Sequence, residues 1–466
     1  MIKLFGIYFG VLFCALAASG QVHPTLPPGQ VTEAVPCAAE PDETYALYLP
    51  SGYTPARPWP IIYAFDPGAR GKTPVKLLQA AAEKYGYIVV GSNNSRNFAM
   101  AEASRAANAI WQDTHTRFPI DERQTYTTGF SGGARVAGLV ALRCVPCKIA
   151  GVIAQGAGYP NTEKPPQPDR LLYYFSVGDQ DFNWPEIVAV RREREQSGSP
   201  YRFRTFAGEH QWAPASVMED AVEWIHLKAM QAGSQARDDA FLDRVFLRMQ
   251  AEAADAEQRG DAIAQLSALR ALASDFRGLR EVKEYEAKLA KLKVSSALDK
   301  ALKKEQEALA SQEAIVRPIA AQLANLGDAD DSQRRVLQLN IATGMRQLKA
   351  QGEHSKDTDN RLVMLRAFND LWAQGIEAGQ ARVERKEFEP AALYFGLMED
   401  IAPSQPWPAL LLAETRVAEG NKKQALKDLR EAVKRGLKNP EVLERDPDLQ
   451  PLRADPEFQK IVDGMK

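Results

Sequence analysis

One serine of this chain lies in a setting that suits nucleophilic chemistry. It belongs to Gly129-Phe130-Ser131-Gly132-Gly133, which follows a run of β-branched and aromatic residues and precedes a segment rich in Ala, Val and Leu. This order predicts a strand, a sharp turn and a helix, because glycines let the backbone turn tightly while the hydroxyl stands clear. The Gly132 amide would then donate to a developing oxyanion. Small-residue turns are common, so the prediction also requires a base and an acid.

The base can be selected by elimination, because only five histidines are present. On a strand, turn and helix of this kind the acid and the histidine follow the serine in chain order. Four histidines precede the serine, lie within an amphipathic helix or lie in the later helical half: His23, His115, His226 and His354. His210 remains, in a short loop between the last predicted strand and the helix after it. Such a loop can carry the imidazole back over the sheet edge to Ser131.

Two aspartates compete for the role of the acid. Asp179 and Asp181 both lie in the turn Gly178-Asp179-Gln180-Asp181, directly after a predicted strand. The position in the turn favours Asp181 as the group that orients His210, with Asp179 capping the turn. Asp179 remains the alternative.

The second donor of an oxyanion hole is expected in the loop at 66–71, which would face the serine turn. Gly68 and Ala69 are the candidates, since Pro67 has no N–H. Because the amide of residue 67 is missing, the donor must lie later in the loop, and its identity is left open.

Three further side chains could contact a substrate. Asn94 and Trp212 are the predicted substrate-binding residues, although a polar loop cap and aromatic packing are the alternatives for them. Arg135, one turn into the helix after the serine, could meet a carboxylate, but a salt bridge is the expected role. No metal ligands cluster in the sequence, and we expect neither a metal nor a cofactor.

Strand and helix patterns alternate between residues 45 and 231. Apolar runs predict strands at 45–49, 59–65, 87–91, 124–129, 149–154, 171–177 and 201–206. Helices are predicted at 73–85, 100–117, 132–142, 185–197 and 214–231. This alternation predicts an α/β fold with a mostly parallel sheet covered by helices, and such sheets bind ligands at the carboxyl ends of their strands. The segment after 153 is a short Pro-rich loop, so no lid domain is predicted there.

The composition changes after the short linker 233–237. Beyond it, Ala, Leu, Glu, Lys and Arg dominate, and helices are predicted at 238–258, 260–274, 279–312, 329–350 and 358–385. Matches at an offset of 34 residues within 380–436 are typical of tetratricopeptide helix pairs, although helical hairpins alone can produce them. The charged stripes of these helices are interpreted as solvated faces. A protein partner of this helical half is one expectation.

Length and charge narrow the class of protein. The 466 residues are too many for one ordinary hydrophobic core, and the net charge of −2 gives no case for binding nucleic acid or an anionic membrane surface.

The N-terminus predicts a cleaved signal peptide over residues 1–20, from Lys3, the apolar run 4–16 and the small residues at 17–20. We therefore expect export without stable membrane insertion. In an oxidising compartment a disulfide is expected within Cys144-Val-Pro-Cys147 or involving Cys37, with one thiol left over.

The serine turn, Gly178-x-x-Asp181 and Gly208-Glu209-His210-Gln211-Trp212 together resemble the α/β-hydrolase superfamily. The layout is most similar to its poly(3-hydroxybutyrate) depolymerase, feruloyl esterase and dienelactone hydrolase branch, over about 40–231. The resemblance implies an acyl-serine mechanism on a small-molecule or polymer ester. Together with the patterns above, the predicted organisation is a signal peptide (1–20), an extended arm (21–43), an α/β-hydrolase domain (44–232), a linker (233–237) and an α-helical domain (238–466) with tetratricopeptide-like repeats near 380–436.

Three functions are therefore compared. An exported serine esterase with a helical accessory domain explains the ordered Ser131, Asp181 and His210. A binding or scaffold protein that uses the helical half, with a vestigial hydrolase half, is the alternative from another class. A serine peptidase ranks below the esterase, because no acidic clamp for a substrate amine is evident in the sequence.

Overall fold

A computed structural model describes residues 26–97, 100–144, 147–160, 164–166 and 169–466. The predicted signal peptide and Cys14 lie outside these residues. The first 206 residues contain all the named strands of the described chain: β1 (Val31–Pro36), β2 (Thr44–Tyr48), β3 (Trp59–Phe65), β4 (Ile88–Ser92), β5 (Ile120–Phe130), β6 (Gly151–Gln155), β7 (Leu172–Gly178) and β8 (Tyr201–Phe206).

Five helices accompany these strands: α1 (Lys72–Tyr85), α2 (Met100–Arg117), α3 (Gly132–Arg143), α4 (Trp184–Ser197) and α5 (Ala215–Gln231). The later part of the chain is helical: α6 (Asp239–Gln258), α7 (Ala262–Asp275), α8 (Lys283–Lys293), α9 (Ser296–Leu326), α10 (Asp331–His354), α11 (Thr358–Glu384), α12 (Phe388–Ile401), α13 (Trp407–Ala418), α14 (Lys422–Lys434), α15 (Pro440–Arg445) and α16 (Pro456–Asp463). A 3-10 helix covers Pro447–Leu452.

The strands form one eight-stranded sheet in the order β1-β2-β4-β3-β5-β6-β7-β8. The β1/β2 and β2/β4 pairs are antiparallel, and all other neighbours are parallel. Every residue of β3 is buried, because helices cover both faces of the sheet and an apolar run satisfies both. The predicted fold class is confirmed: a mostly parallel sheet covered by helices, as the α/β-hydrolase resemblance implied, followed by a large helical region.

The predicted extended arm is corrected in part. Its segment Val31–Pro36 is β1, an edge strand that pairs with β2 from Val31 opposite Tyr48 to Pro36 opposite Thr44. The strand was missed because Pro residues surround it. An edge strand tolerates Pro, since one row of its backbone groups has no neighbour to bond.

The helical region departs from the predicted elements between residues 279 and 326. The stretch expected as a single helix over 279–312 is two helices, α8 and the longer α9, and α9 continues fourteen residues past the predicted end, to Leu326. The break occurs at Ser295, whose hydroxyl accepts a hydrogen bond from the Leu298 N–H and so caps the start of α9. No helix of the described residues is long and apolar enough to cross a membrane.

The disulfide joins Cys144 and Cys147 at the end of α3. Cys37 is the thiol left over, and it is buried. Burial, followed by the charges of Asp113 and Glu43, raises the pKa of Cys37 to about 12, so the thiol stays protonated and unreactive at neutral pH.

Candidate active site

The serine turn connects β5 to α3 and holds Ser131 in a strained conformation. Ser131 has φ 53° and ψ −124°, which a residue with a side chain adopts only where its surroundings enforce it. A Cβ atom at Gly129 would overlap the Gly133 carbonyl, and one at Gly133 would overlap the carbonyl of Phe65 on β3. The glycines are therefore required by backbone packing between the turn and the sheet.

The three predicted catalytic side chains are brought together at the carboxyl edge of the sheet. His210 Nε2 lies 2.8 Å from Ser131 Oγ. His210 Nδ1 lies 2.9 Å and 3.0 Å from the two carboxylate oxygens of Asp181. The Asp181 side chain is fully buried and the His210 side chain is 18% exposed. The arrangement is a continuous hydrogen-bonded chain from a shielded carboxylate to a reachable hydroxyl.

Asp179, the alternative acid, has a different partner. Its carboxylate accepts a hydrogen bond from the Gly208 N–H at 3.0 Å, and the Gln180 N–H donates to the Gly208 carbonyl at 2.9 Å. Asp179 thus ties the acid turn to the loop that carries His210, while Asp181 contacts the imidazole itself. Asp181 in turn accepts the Asn183 N–H at 2.8 Å, which fixes the carboxylate.

Aromatic rings enclose the imidazole. The ring centroids of Phe130 and Phe182 lie 4.5 Å and 4.1 Å from that of His210. Phe130 directly precedes Ser131 and Phe182 directly follows Asp181, so both rings belong to the turns that carry these two side chains. These rings restrict rotation of the imidazole and exclude water from two sides of it.

Three backbone N–H groups are candidate donors to an oxyanion, and two of them already donate hydrogen bonds within the protein. Within the described residues the Gly132 N–H, at the start of α3, meets no hydrogen-bond acceptor. The Gly68 N–H donates to the Asp66 carboxylate at 2.8 Å, and the Ala69 N–H donates to the Asp66 carbonyl at 3.1 Å. Gly68 and Ala69 therefore do not offer a second donor in this conformation. Both amides are engaged by Asp66, the Gly68 N–H by its buried carboxylate and the Ala69 N–H by its backbone carbonyl.

Asn97 was not singled out by sequence reasoning. Its side-chain amide packs directly against the Cα of Gly132, where any Cβ would overlap it. Its backbone N–H donates to the Pro67 carbonyl at 2.9 Å, which joins the loops after β3 and β4. The only sequence signal was its membership of the polar run 92–97.

The predicted substrate contacts are corrected for Asn94. Its amide accepts from the Thr44 N–H at 2.9 Å and donates to the Asp42 carbonyl at 3.0 Å, so it caps the entry to β2. Its polar groups are committed to the backbone, which was the alternative weighed for it.

Trp212 and Arg135 lie beside the site. The Trp212 indole N–H donates to Asp66 at 2.8 Å, and its ring lies 5.7 Å from Phe130. Trp212 thus links the histidine loop to the loop after β3. Arg135 forms a two-pronged ion pair with Glu186, both distances 2.8 Å, which is the salt bridge expected of it.

Residues of α11 reach the site from the helical region. The Arg366 Nε donates to the Asp179 carbonyl at 2.6 Å, and the Asn369 Nδ2 donates to the Gln180 carbonyl at 2.8 Å. Burial lowers the pKa of Arg366 to about 10, although the charges of Asp179 and Glu305 oppose this shift. The interpretation of the helical charges as solvated faces is wrong for Arg366, which is 6% exposed.

Glu377 lies further along α11, near enough to the site for its charge to interact with His210 and Arg135. Burial raises the pKa of Glu377, and the electrostatic interactions with His210 and Arg135 oppose this shift. Sequence offered no signal for Arg366, Asn369 or Glu377, because polar residues on a helix look alike until the partner of each face is known. Within the described residues, no group of three His, Cys, Asp or Glu side chains has an arrangement suited to a metal ion.

No family model and no curated protein matches the chain. Among solved structures it is similar to a fluorophosphonate-binding serine hydrolase of Staphylococcus aureus, at 14% identity over 40% of this chain and 92% of that one, with a TM-score of 0.33. It is also similar to an esterase from Pyrobaculum calidifontis (13% identity, 45% and 88% covered, TM-score 0.34) and to esterase 2 of Thermogutta terrifontis (13%, 47% and 100%, TM-score 0.35).

Proposed function

We propose that this protein is a serine hydrolase that cleaves carboxylic esters through an acyl-serine intermediate. The observation that carries the proposal is the hydrogen-bonded chain Ser131–His210–Asp181, with its nucleophile on a strained turn over a helix N-terminus. A merely structural serine would not need a φ of 53°, and the strain is understandable if it presents the hydroxyl to a substrate.

In the acylation step, Ser131 Oγ attacks the ester carbonyl carbon while His210 Nε2 accepts the hydroxyl proton. Asp181 accepts the Nδ1–H of His210 and stabilises the imidazolium that forms. The tetrahedral intermediate collapses with cleavage of the C–O bond, and His210 returns the proton to the departing alcohol. In deacylation a water attacks the acyl carbon while His210 takes one of its protons. The bond between the acyl carbon and Ser131 Oγ then breaks, the carboxylic acid leaves, and His210 returns the proton to Oγ.

The negative charge of the tetrahedral intermediate develops next to α3. The free N–H of Gly132 and the positive end of the α3 dipole stabilise it. Because the Gly68 and Ala69 amides are engaged by Asp66, a second donor requires either release of one of these amides when substrate binds or a side-chain donor.

Export remains part of the proposal. The predicted signal peptide over 1–20 supports it, and so does the disulfide between Cys144 and Cys147, because such bonds persist in oxidising compartments. Recovery of the mature chain from the extracytoplasmic fraction, with a new N-terminus near residue 20, is the expected result.

The proposed activity is tested with a panel of esters that vary in acyl length and aromaticity, together with fluorophosphonate labelling. Wild-type protein is expected to hydrolyse at least one ester class and to be labelled at Ser131. Ser131→Ala should lose both, because it has no nucleophile. Labelling that persists in Ser131→Ala, or the absence of both activities in the wild type, would contradict the proposal.

A further inference from the structure

The turn that carries Asp181 receives two hydrogen bonds from α11. Arg366 binds the carbonyl of Asp179 and Asn369 binds the carbonyl of Gln180, the two residues that directly precede Asp181. Arg366 and Asn369 are three positions apart and so lie on the same face of α11. Two successive carbonyls of one turn are therefore held by one helix, 187 and 189 residues away in the chain.

Arg366 also packs on the far side of this turn. Its guanidinium carbon lies 3.9 Å from the centroid of the Trp184 ring, at the start of α4. Such stacking over an indole stabilises a guanidinium that is largely removed from water. The same side chain thus contacts both the start of the acid turn and the helix that follows it.

A second contact holds α4 to the helical region. Arg191 Nη2 lies 2.5 Å from Glu305 Oε2 on α9, and both side chains are nearly buried, at 7% and 11% exposed. Arg192 adds a contact to the same carboxylate at 2.8 Å. Because these groups are largely shielded from solvent, the ion pair is less weakened by water than a surface pair would be. The helical region therefore contacts both the acid turn and α4, the helix that follows it.

Movement of the acid turn would move the histidine as well. Asp179 and Gln180 are hydrogen bonded to Gly208, two residues before His210. A displacement of the turn would thus change the Asp181–His210 distance and the aim of the imidazole at Ser131. Reactions of this kind are sensitive to displacements of about 1 Å.

We propose that α11 positions the catalytic acid, and that the helical region thereby completes the active site. The proposal rests on the serine hydrolase function proposed above. Arg366 and Asn369 touch neither the reacting atoms nor His210, so they are positioning residues. They fix the backbone of the acid turn, which fixes the Asp181 carboxylate against the imidazole.

The test compares full-length variants on an ester that the wild type cleaves. Arg366→Ala and Asn369→Asp remove the two donors, the second with almost no change of shape. Arg366→Lys retains one donor, and Arg361→Ala is the matched control, an exposed arginine on the same helix. Thermal unfolding of each variant separates loss of fold from loss of positioning.

Arg366→Ala and Asn369→Asp are expected to lower kcat about ten- to a hundredfold, with KM changed less than about threefold, because positioning acts on the chemical step. The low-field proton resonance of the His210 Nδ1–H should broaden or shift, and the acid limb of the kcat/KM profile should move. Arg366→Lys should recover part of kcat, and Arg361→Ala should match the wild type.

The outcomes separate the two proposals. If Ser131 is required for hydrolysis while both donor variants keep kcat, pH profile and resonance within the range of Arg361→Ala, the positioning role is overturned and the serine hydrolase stands. If the wild type neither hydrolyses esters nor labels with fluorophosphonate, both proposals are overturned. An unfolded Arg366→Ala leaves Asn369→Asp and the histidine resonance to decide.

Discussion

The two ends of the proposed triad are built in different ways. The serine turn is held by contacts within the sheet domain, where Gly129 and Gly133 allow the close approach of β5, α3 and β3. The acid turn is held by Arg366 and Asn369, which are nearly 190 residues away. The serine turn is thus fixed within the sheet domain, whereas the acid turn receives additional hydrogen bonds from the helical region.

This contrast has a thermodynamic consequence. A turn fixed by backbone overlap forms whenever the sheet forms, because its alternatives are sterically excluded. A turn fixed by side-chain hydrogen bonds from another region is only as well ordered as the docking of that region. Conditions that loosen the helical region should therefore affect the acid before the nucleophile.

The largest effect is expected from substituting the two aspartates of the acid turn, Asp181 and Asp179. Asp181→Asn should lower kcat by about 10⁴-fold, because the amide no longer stabilises the imidazolium. Asp179→Asn should cost far less, since the Asp179 carboxylate accepts from the Gly208 N–H and does not contact the imidazole. Steady-state kinetics of both variants is the measurement. Equal losses would show that Asp179 shares the role of the acid.

The serine turn is tested by adding one methyl group at Gly133. In Gly133→Ala the new Cβ overlaps the Phe65 carbonyl, so the turn must separate from β3. We expect a loss of about 3 kcal/mol or more in unfolding free energy, as for severe overpacking, together with loss of fluorophosphonate labelling.

Gly396→Ala is the control for that substitution. A Cβ there meets no atom within 4 Å, and the position lies inside α12. A gain of about 0.5–1 kcal/mol is expected from helix propensity. Chemical denaturation measures both variants, and a harmless Gly133→Ala would contradict the account of the serine turn.

Low pH should weaken a different contact between the sheet domain and the helical region, the packing of α5 against α6. His226 on α5 packs against the rings of Tyr85, Tyr87 and Phe241, the last on α6. Burial lowers the pKa of His226 to about 4, from an ordinary value of 6.5. The folded state thus favours the neutral ring, and its stability is full above pH 6.5 and is lost as the pH falls towards 4.

The lost stability amounts to about 3 kcal/mol for this group. Unfolding free energies measured between pH 7 and pH 4 should therefore fall less in His226→Gln than in the wild type. If the unfolding free energies of the two proteins fell equally between pH 7 and pH 4, His226 would not be the cause of the pH dependence.

The smallest expected effect concerns the link between the histidine loop and the loop after β3. Trp212→Phe removes the indole donor to the fully buried Asp66, at a cost of about 1–2 kcal/mol in unfolding free energy. Trp407→Phe is the control, because Trp407 is 41% exposed. Equal stability of the two variants would show that the Asp66 contact contributes nothing.

Much of the sheet domain could be predicted from sequence, because its elements have strong local signals. Buried parallel strands give unbroken apolar runs, as in Trp59–Phe65, and the serine turn has glycines that few other structures need. The edge strand Val31–Pro36 and the break at Ser295 were missed, since their signals are single residues or partners in another strand.

The site was predictable only where residue type limits the choice. One histidine fitted the required order, and the structure places it between Ser131 and Asp181. The oxyanion candidates Gly68 and Ala69 could not be judged from sequence, because whether an amide is free depends on the conformation of Asp66. Asn94 was likewise assigned to substrate when its amide is used by the backbone of residues 42–44.

The sequence by itself predicted the serine turn, the candidate histidine and a choice of two aspartates, because each depends on residue identity and on the order of the residues in the chain. Only the tertiary structure decided which aspartate meets His210, which loop amides are occupied and what α11 does. Those answers depend on contacts between residues far apart in the chain. A side chain such as Arg366 is indistinguishable from a solvated one until the helix that carries it docks on the acid turn.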